Sequence, residues 1–276
     1  MTTQDKWSEW LLHRRFGGDA EAAEKGMRML HGVRDSVLDA ANLDDGATLL
    51  DVGAGDGLIA FGALDRIGAN GRVIFCDISR PLLDHAASIA KDLGVDDRCS
   101  FVEAPADDLS QIADASVDAV TTRSVLIYVP DKAAALREFH RVLRPGRTIS
   151  LWEPINSFGV RYGARVPSWG KEAPEIADLR DRIRAYYEKR QPPDTDPMLD
   201  FDERDLLAHA EAAGFRRIVV RLNVIVRPAE PQKWDTVLDN AGNPNIPTLR
   251  EAMDELFNEQ ERTRFERYSR PVVEAG

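Results

Sequence analysis

Cysteine is scarce: Cys76 and Cys99 are the only two in 276 residues, far apart and inside apolar stretches. The five histidines are scattered, and no His/Cys cluster has metal-ligand spacing. A disulfide scaffold and a zinc module are therefore excluded, no metal is expected, and both thiols are expected to be free. Long apolar runs are also missing. A membrane-spanning helix needs about 18 apolar residues, and the longest comparable run here is Val125–Val129. Acids and bases interrupt Met1–Trp7 before a signal-peptide core can form, which points to a cytoplasmic protein with no membrane partner. Finally, no basic stripe offsets an excess of acid. Lys plus Arg number 36 and Asp plus Glu 47, a formal charge of −11, which weighs against holding nucleic acid by phosphate neutralisation.

What is present is a chain able to bury a core, with 43% apolar and 30% charged residues. From Thr48 to Pro154 short apolar runs alternate with amphipathic stretches, the pattern of parallel βαβ units. The runs are Thr48–Val52, Arg72–Cys76, Cys99–Val102, Val117–Thr121 and Thr148–Trp152. Each is nearly continuous in β-prone residues, as for strands covered on both faces. The intervening helices are predicted at Leu58–Ile67, Pro81–Leu93 and Lys132–Leu143, the last stopped by Pro145-Gly146.

One domain over residues 1–276 is expected, in four parts: a helical cap (1–44), a core (45–154), a lid insertion (155–200) and a C-terminal part (201–276). The cap holds one or two helices over Ala20–Ala41. The proline-rich insertion holds a helix near Pro174–Arg190, and long interruptions of compact domains are commonly functional. A helix at Glu203–Ala213, closed by Gly214, precedes two predicted strands, Phe215–Leu222 and Asn223–Arg227, close enough to pair antiparallel. Helical stretches at Gln232–Asp239 and Thr248–Arg267 end the sequence; the second suits either packing on the core or pairing between subunits of a homodimer.

The sharpest chemical signal is Leu49-Leu50-Asp51-Val52-Gly53-Ala54-Gly55-Asp56-Gly57. A buried strand ends in an acidic residue, and a glycine turn then leads into a helix. Glycine allows positive φ and lets a ligand approach the backbone. The third glycine comes one position too early for a dinucleotide fingerprint, with Leu58 in its place. An acid before the first glycine suits a ligand bearing an amino group better than a pyrophosphate. Read alone, the segment is equally a tight βα turn. The second strand, however, ends in Asp77, 22 residues beyond Gly55, where a carboxylate can accept ribose hydroxyls; its plainer reading is a helix cap, a place Ser79 fills better. Together the two acids point to a nucleoside with an amino-acid-like end.

At these residues the chain resembles the class I S-adenosylmethionine-dependent methyltransferases, in particular the ubiquinone and menaquinone biosynthesis group. The resemblance runs through Asp51–Gly57, Asp77-Ile78-Ser79, Ala106-Asp107-Asp108-Leu109, Ser116–Val120 and Arg141–Gly146, in order, from about Asp45 to Pro154. It implies an α/β, Rossmann-like, doubly wound sheet of seven strands with an antiparallel last strand, and S-adenosyl-L-methionine as cofactor. By the same resemblance, Asp51, Gly53, Ala54 and Gly55 line the methionine end, Asp77 holds the ribose and Ile78 packs on adenine. Ala106 and Asp107 meet the adenine edge, and Arg123 offers its carbonyl to the amino group. Where many relatives carry an acid before Ala106 this chain has Pro105, so the adenine contact shifts to Asp107.

The expected activity is in-line methyl transfer to a small-molecule acceptor. The competing readings are a non-catalytic cofactor-binding subunit and a nicotinamide-dependent oxidoreductase. Candidates for a general base are Tyr128 and Glu153 near the strand ends and His13 in the aromatic, basic segment Trp7–Phe16. Each has a plain alternative: packing for Tyr128, capping for Glu153, docking of the whole segment for His13. Arg14 is a candidate for the methionine carboxylate. Phe158, Arg161, Tyr162, Arg165, Trp169, Tyr186 and Tyr187 are the insertion's candidates for the acceptor side.

Overall fold

A computed structural model of the chain describes residues 5–161, 173–225 and 228–276. In chain order, α1 (Lys6–Glu9) runs into a π-helical turn at Trp10–Arg14, followed by α2 (Ala20–Ala40), β1 (Thr48–Val52) and α3 (Leu58–Leu64). Next come β2 (Arg72–Asp77), α4 (Arg80–Asp92), β3 (Cys99–Glu103) and β4 (Val117–Arg123). A 3-10 turn at Leu126–Tyr128 leads to α5 (Lys132–Val142) and β5 (Leu143–Trp152). Then follow α6 (Asn156–Arg161), a 3-10 turn at Pro174–Ile176, α7 (Ala177–Arg190) and α8 (Glu203–Ala213). The chain closes with α9 (Trp234–Asp239), α10 (Leu249–Leu256) and α11 (Glu259–Ala275).

The five strands are all parallel, in the order β3-β2-β1-β4-β5. Successive residues of each inner strand point to opposite faces, and here both faces are covered. Leu49, Val73, Phe75 and Ala119 join one apolar cluster, while Leu50, Val52, Cys76 and Val120 join another. That two-sided burial is why the strands read as continuous apolar runs. Strand order reverses between β1 and β4, and the carboxyl ends of strands at such a reversal are where open α/β sheets bind ligands. At the opposite end of the sheet the carboxylate of Asp118 accepts the Thr48 N–H at 2.9 Å and pairs with Arg144 at 2.5 Å and Arg147 at 3.2 Å. Arg147, in the first half of β5, therefore serves as a clamp on β4.

The chain divides into two compact units. The first comprises Met1–Ser8, Met27–Ile155 and Phe201–Val219, and carries the sheet. The second comprises Glu9–Gly26, Asn156–Asp200 and Val220–Gly276. Its core joins Ile176, Leu179 and Ile183 from the insertion to Trp234, Leu238, Met253, Phe257 and Phe265 near the C-terminus. Within this unit the Tyr186 hydroxyl donates to Glu255 at 2.5 Å, and Arg182 pairs with Glu261 at 2.6 Å.

Two expectations need correction. The sheet has five parallel strands, not seven with an antiparallel last member. The predicted strands Phe215–Leu222 and Asn223–Arg227 do not form among the described residues, whose range stops at Ile225 in this segment. Phe215 and Ile218 still pack against the core. Beyond them Val219, Val220, Leu222, Val224 and Ile225 are all more than half exposed, Val219 to 75%. Strand propensity reports fit to a half-buried pleated surface. Arg216, Arg217 and Arg221 interrupt the segment, and without a ladder partner its valines and isoleucines do not create a strand. The second correction concerns Thr248–Arg267, which is two helices. Phe257 is extended, and Asn258 starts α11 with a reciprocal capping box to Glu261. Elsewhere the predicted elements hold: β1 matches in full, β2, β3 and β4 run one or two residues longer, and β5 begins at Leu143 instead of Thr148. No helix among the described residues is long and apolar enough to cross a membrane.

The contrast between the sheet and the irregular segment is measurable by urea unfolding. Phe139→Ala, at a fully buried position of α5, should cost about 3–5 kcal/mol. Val219→Lys should stay within about 0.5 kcal/mol of wild type; a loss of several kcal/mol would mean that the segment is a buried strand after all.

Candidate active site

Between β1 and α3 the backbone takes positive φ at Gly53 (66°), Gly55 (56°) and Gly57 (86°). A side chain at Gly53 would overlap that of Val125, and one at Gly57 that of Phe61. The loop therefore needs glycine both for conformation and for close approach. It is tied to the next strand at two points. The Ala54 N–H donates to the Cys76 carbonyl at 3.0 Å, and the Gly55 N–H donates to Asp77 Oδ2 at 2.8 Å. Asp77 Oδ1 accepts the Ser79 N–H at 2.9 Å, while Ser79 itself caps α4 by accepting from Leu82 at 3.3 Å. Asp77 is thus a brace between the loop and the turn after β2, and each of its oxygens keeps a second lone pair. Burial raises its carboxyl pKa, with Asp5 close enough to raise it further and the Ser79 and Gly55 N–H groups opposing.

Asp51 is buried at the end of β1, only 1% exposed. Its Oδ1 accepts the Thr121 hydroxyl at 2.8 Å from the neighbouring strand, and its Oδ2 makes no hydrogen bond. Burial pushes the carboxyl up to about 7, with the Asp77 charge adding to the rise and the Thr121 hydroxyl, the Ala60 main-chain N–H and the Arg123 charge opposing it. Cys76, between these two acids, has its thiol pushed up to about 12 by burial and by the Asp77 and Asp51 charges, so it packs as an inert apolar group. A buried carboxylate oxygen without a side-chain donor, beside a glycine loop, is suited to a cationic ligand group.

Ile78 stands 47% exposed just past Asp77, an unusual place for an isoleucine. Ala106 is buried, Asp107 is partly exposed, and Pro105 is exposed with its carbonyl accepting the Asp108 N–H at 3.2 Å. Arg123 ends β4, and its charge acts on both Asp51 and Glu153. Ser124 follows with φ 56°, left-handed for a residue that bears a side chain. Glu153 reaches back to this turn: Oε1 accepts the Val125 N–H at 3.0 Å and Oε2 the Ile127 N–H at 3.3 Å. Enclosure of that carboxylate pushes it up to about 7, against these hydrogen bonds and Arg123. Tyr128 lies partly buried with its ring edge-on to Trp7, centroids 4.8 Å apart.

The first unit thus brings together Asp51, Gly53, Ala54, Gly55, Asp77, Ile78 and Arg123 around the ends of β1, β2 and β4. His13 and Arg14 belong to the second unit, where Arg14 pairs with Glu251 at 2.6 Å. That ion pair occupies the guanidinium proposed for a methionine carboxylate. In the insertion Phe158 is exposed, while Tyr186 and Tyr187 pack within the second unit. Tyr162, Arg165 and Trp169 lie outside the described residues, and Arg161 is described only as the last residue of α6.

The sequence model of a family described as a methyltransferase domain matches residues 43–182, just over half of the chain and the whole of this sheet. The chain belongs to that methyltransferase family. Among curated relatives, a tRNA 5-carboxymethoxyuridine methyltransferase of Escherichia coli is 34% identical over 103 residues, covering 37% of this chain and 38% of its own. A ubiquinone/menaquinone biosynthesis C-methyltransferase of Rhodopseudomonas palustris is 36% identical over 119 residues, covering 43% and 47%. The chain therefore spans less than half the length of these two relatives. A solved structure from Galdieria sulphuraria, a candidate sarcosine dimethylglycine methyltransferase, superposes with TM-score 0.54 at 16% identity, covering 98% of this chain and 92% of its own; this supports the fold.

Within the methyltransferase frame, four features were not foreseen: the Thr121 hydroxyl on Asp51, the left-handed Ser124, the closure of Val125 on Gly53, and the Trp7–Tyr128 contact. Only the first had a sequence signal, since Thr121 occupies the strand position that parallel register sets beside Asp51. Two stability changes test the loop. Gly53→Ala should cost more than about 1 kcal/mol in urea unfolding, from positive φ and overlap with Val125. Asp51 ionises in the folded state only near pH 7, above the usual carboxylate range, so its burial costs stability increasingly as pH rises from about 4 to about 7 and by a constant amount above that. Asp51→Asn should accordingly raise the melting temperature relative to wild type at pH 8, and the gain should vanish near pH 4.

Proposed function

We propose that the chain binds S-adenosyl-L-methionine at the ends of β1 and β2 and transfers its methyl group to a small-molecule acceptor. The observation that carries this reading is the pair of buried acids, Asp51 and Asp77, on either side of a glycine loop that admits no side chain. The orphan Oδ2 of Asp51 suits the ammonium of the methionine end. Asp77, braced by Gly55 and Ser79, has lone pairs for ribose hydroxyls. Ile78 offers an exposed apolar face for adenine, with Ala106 and Asp107 at its edge.

When bound, the cofactor supplies a sulfonium-activated methyl group for in-line displacement. The protein's part is then to bind, orient and exclude water, and alignment alone can contribute about 7–11 kcal/mol. Tyr128 and Trp7 form an aromatic wall that suits an apolar or aromatic acceptor better than a phosphate backbone. The net charge of −11 favours the same choice. A tRNA acceptor is the second reading, motivated by the Escherichia coli relative.

Titration calorimetry with S-adenosylmethionine and its demethylated product tests the donor half. Asp77→Ala should weaken binding roughly tenfold or more. An ammonium favours ionised Asp51, so below pH 7 binding must expel a proton and affinity should fall, approaching tenfold per pH unit. Affinity should thus be higher at pH 8 than at pH 6, and Asp51→Asn should flatten the difference. No binding at millimolar ligand would end this reading. Demethylated product appearing only when tRNA is supplied, with aromatic small molecules inert, would assign the second.

A further inference from the structure

Resting on that reading, we propose that Glu153 is a positioning residue whose carboxylate sets the Val125–Tyr128 turn against the glycine loop and thereby holds the cofactor side of the cleft closed. The carboxylate comes from the end of β5, yet both its oxygens are bound to main-chain N–H groups of the segment leaving β4, Val125 at 3.0 Å and Ile127 at 3.3 Å. These are donors at the start of the Leu126–Tyr128 turn, which has no capping side chain of its own. The residue before the turn, Ser124, is left-handed, and its N–H is held by the carbonyl of Trp152, the neighbour of Glu153. Tyr128 N–H in turn donates to the Val125 carbonyl at 2.8 Å.

The consequence runs in two directions. Val125 closes on Gly53, filling the space a side chain there would need. Tyr128, three residues on, meets Trp7 edge to face. One carboxylate thus fixes a wall shared by the donor loop and the aromatic acceptor side. An ionised carboxylate is the fitting group, because both of its oxygens accept, whereas an amide accepts through one oxygen only. A proton-abstracting role fits this geometry poorly, since the oxygens are turned onto the backbone.

The test compares Glu153→Gln and Glu153→Ala with wild type by hydrogen exchange and by calorimetry with the demethylated cofactor. Exchange at Val125 and Ile127 should rise about tenfold or more in the Ala variant and less in the Gln variant, and amides of Gly53–Gly57 should loosen with them. Affinity for the demethylated cofactor should fall about tenfold in the Ala variant and about threefold in the Gln variant, with KM for the cofactor rising more than kcat falls. Should the Ala variant not fold, the isosteric Gln variant carries the same comparison. Unchanged exchange in the glycine loop would overturn the proposal. So would a Gln variant that keeps wild-type exchange and affinity but loses turnover a hundredfold, the mark of a proton acceptor. The exchange measurement needs no ligand, so it stands even if wild type binds no cofactor, a result that would count against the proposed function alone.

Discussion

Negative charge is costly to bury, and this protein holds it at three strand ends: Asp51 on β1 and Asp77 on β2 are buried, and Glu153 just past β5 is half-buried. The sheet tolerates this because the main chain supplies donors. Gly55 and Ser79 serve Asp77, Val125 and Ile127 serve Glu153, and the Thr121 hydroxyl serves one oxygen of Asp51. Arg123 adds a positive charge that acts on Asp51 and Glu153 alike. The loops after β1, β2 and β4 are therefore each held by an acid. One oxygen, Asp51 Oδ2, is left without a donor where the chain could place a ligand.

The same constraint explains the division of labour along the sheet. At the carboxyl ends of the strands the acids hold loops and leave an opening. At the opposite end Asp118 holds Thr48, Arg144 and Arg147 with its charge fully paired, and burial there is lighter. The first arrangement keeps strained backbone, at Ser124, next to unused hydrogen-bonding capacity, a combination that belongs to binding sites. The second is a clamp of the kind that fixes register.

Much of the core was legible because its physics is local. Five two-sided apolar strands leave continuous runs, and helices between them leave amphipathic periods, with caps such as Ser79 and Gly214 marking ends. The segment after α8 misled for an instructive reason. Phe215–Ile225 is rich in valine and isoleucine, but whether such residues form a strand depends on a ladder partner, and a partner is a fact of the whole fold. The Thr248–Arg267 stretch erred the other way: its apolar period continues across Phe257, yet Asn258 caps a new helix there.

By itself the sequence determined the parallel α/β core, the order of its elements and the glycine loop between Asp51 and Gly57, since these follow from residue type and spacing along one stretch of chain. It also placed acids at the ends of β1 and β2. Only tertiary structure decided how those acids are used: that Asp77 braces a loop, that Glu153 spans from one strand end to the turn after another, and that Arg14 pairs with Glu251. These rest on groups brought together from distant segments, with partners up to 237 positions apart in sequence. Such distances are closed by packing of the core, which no local pattern records.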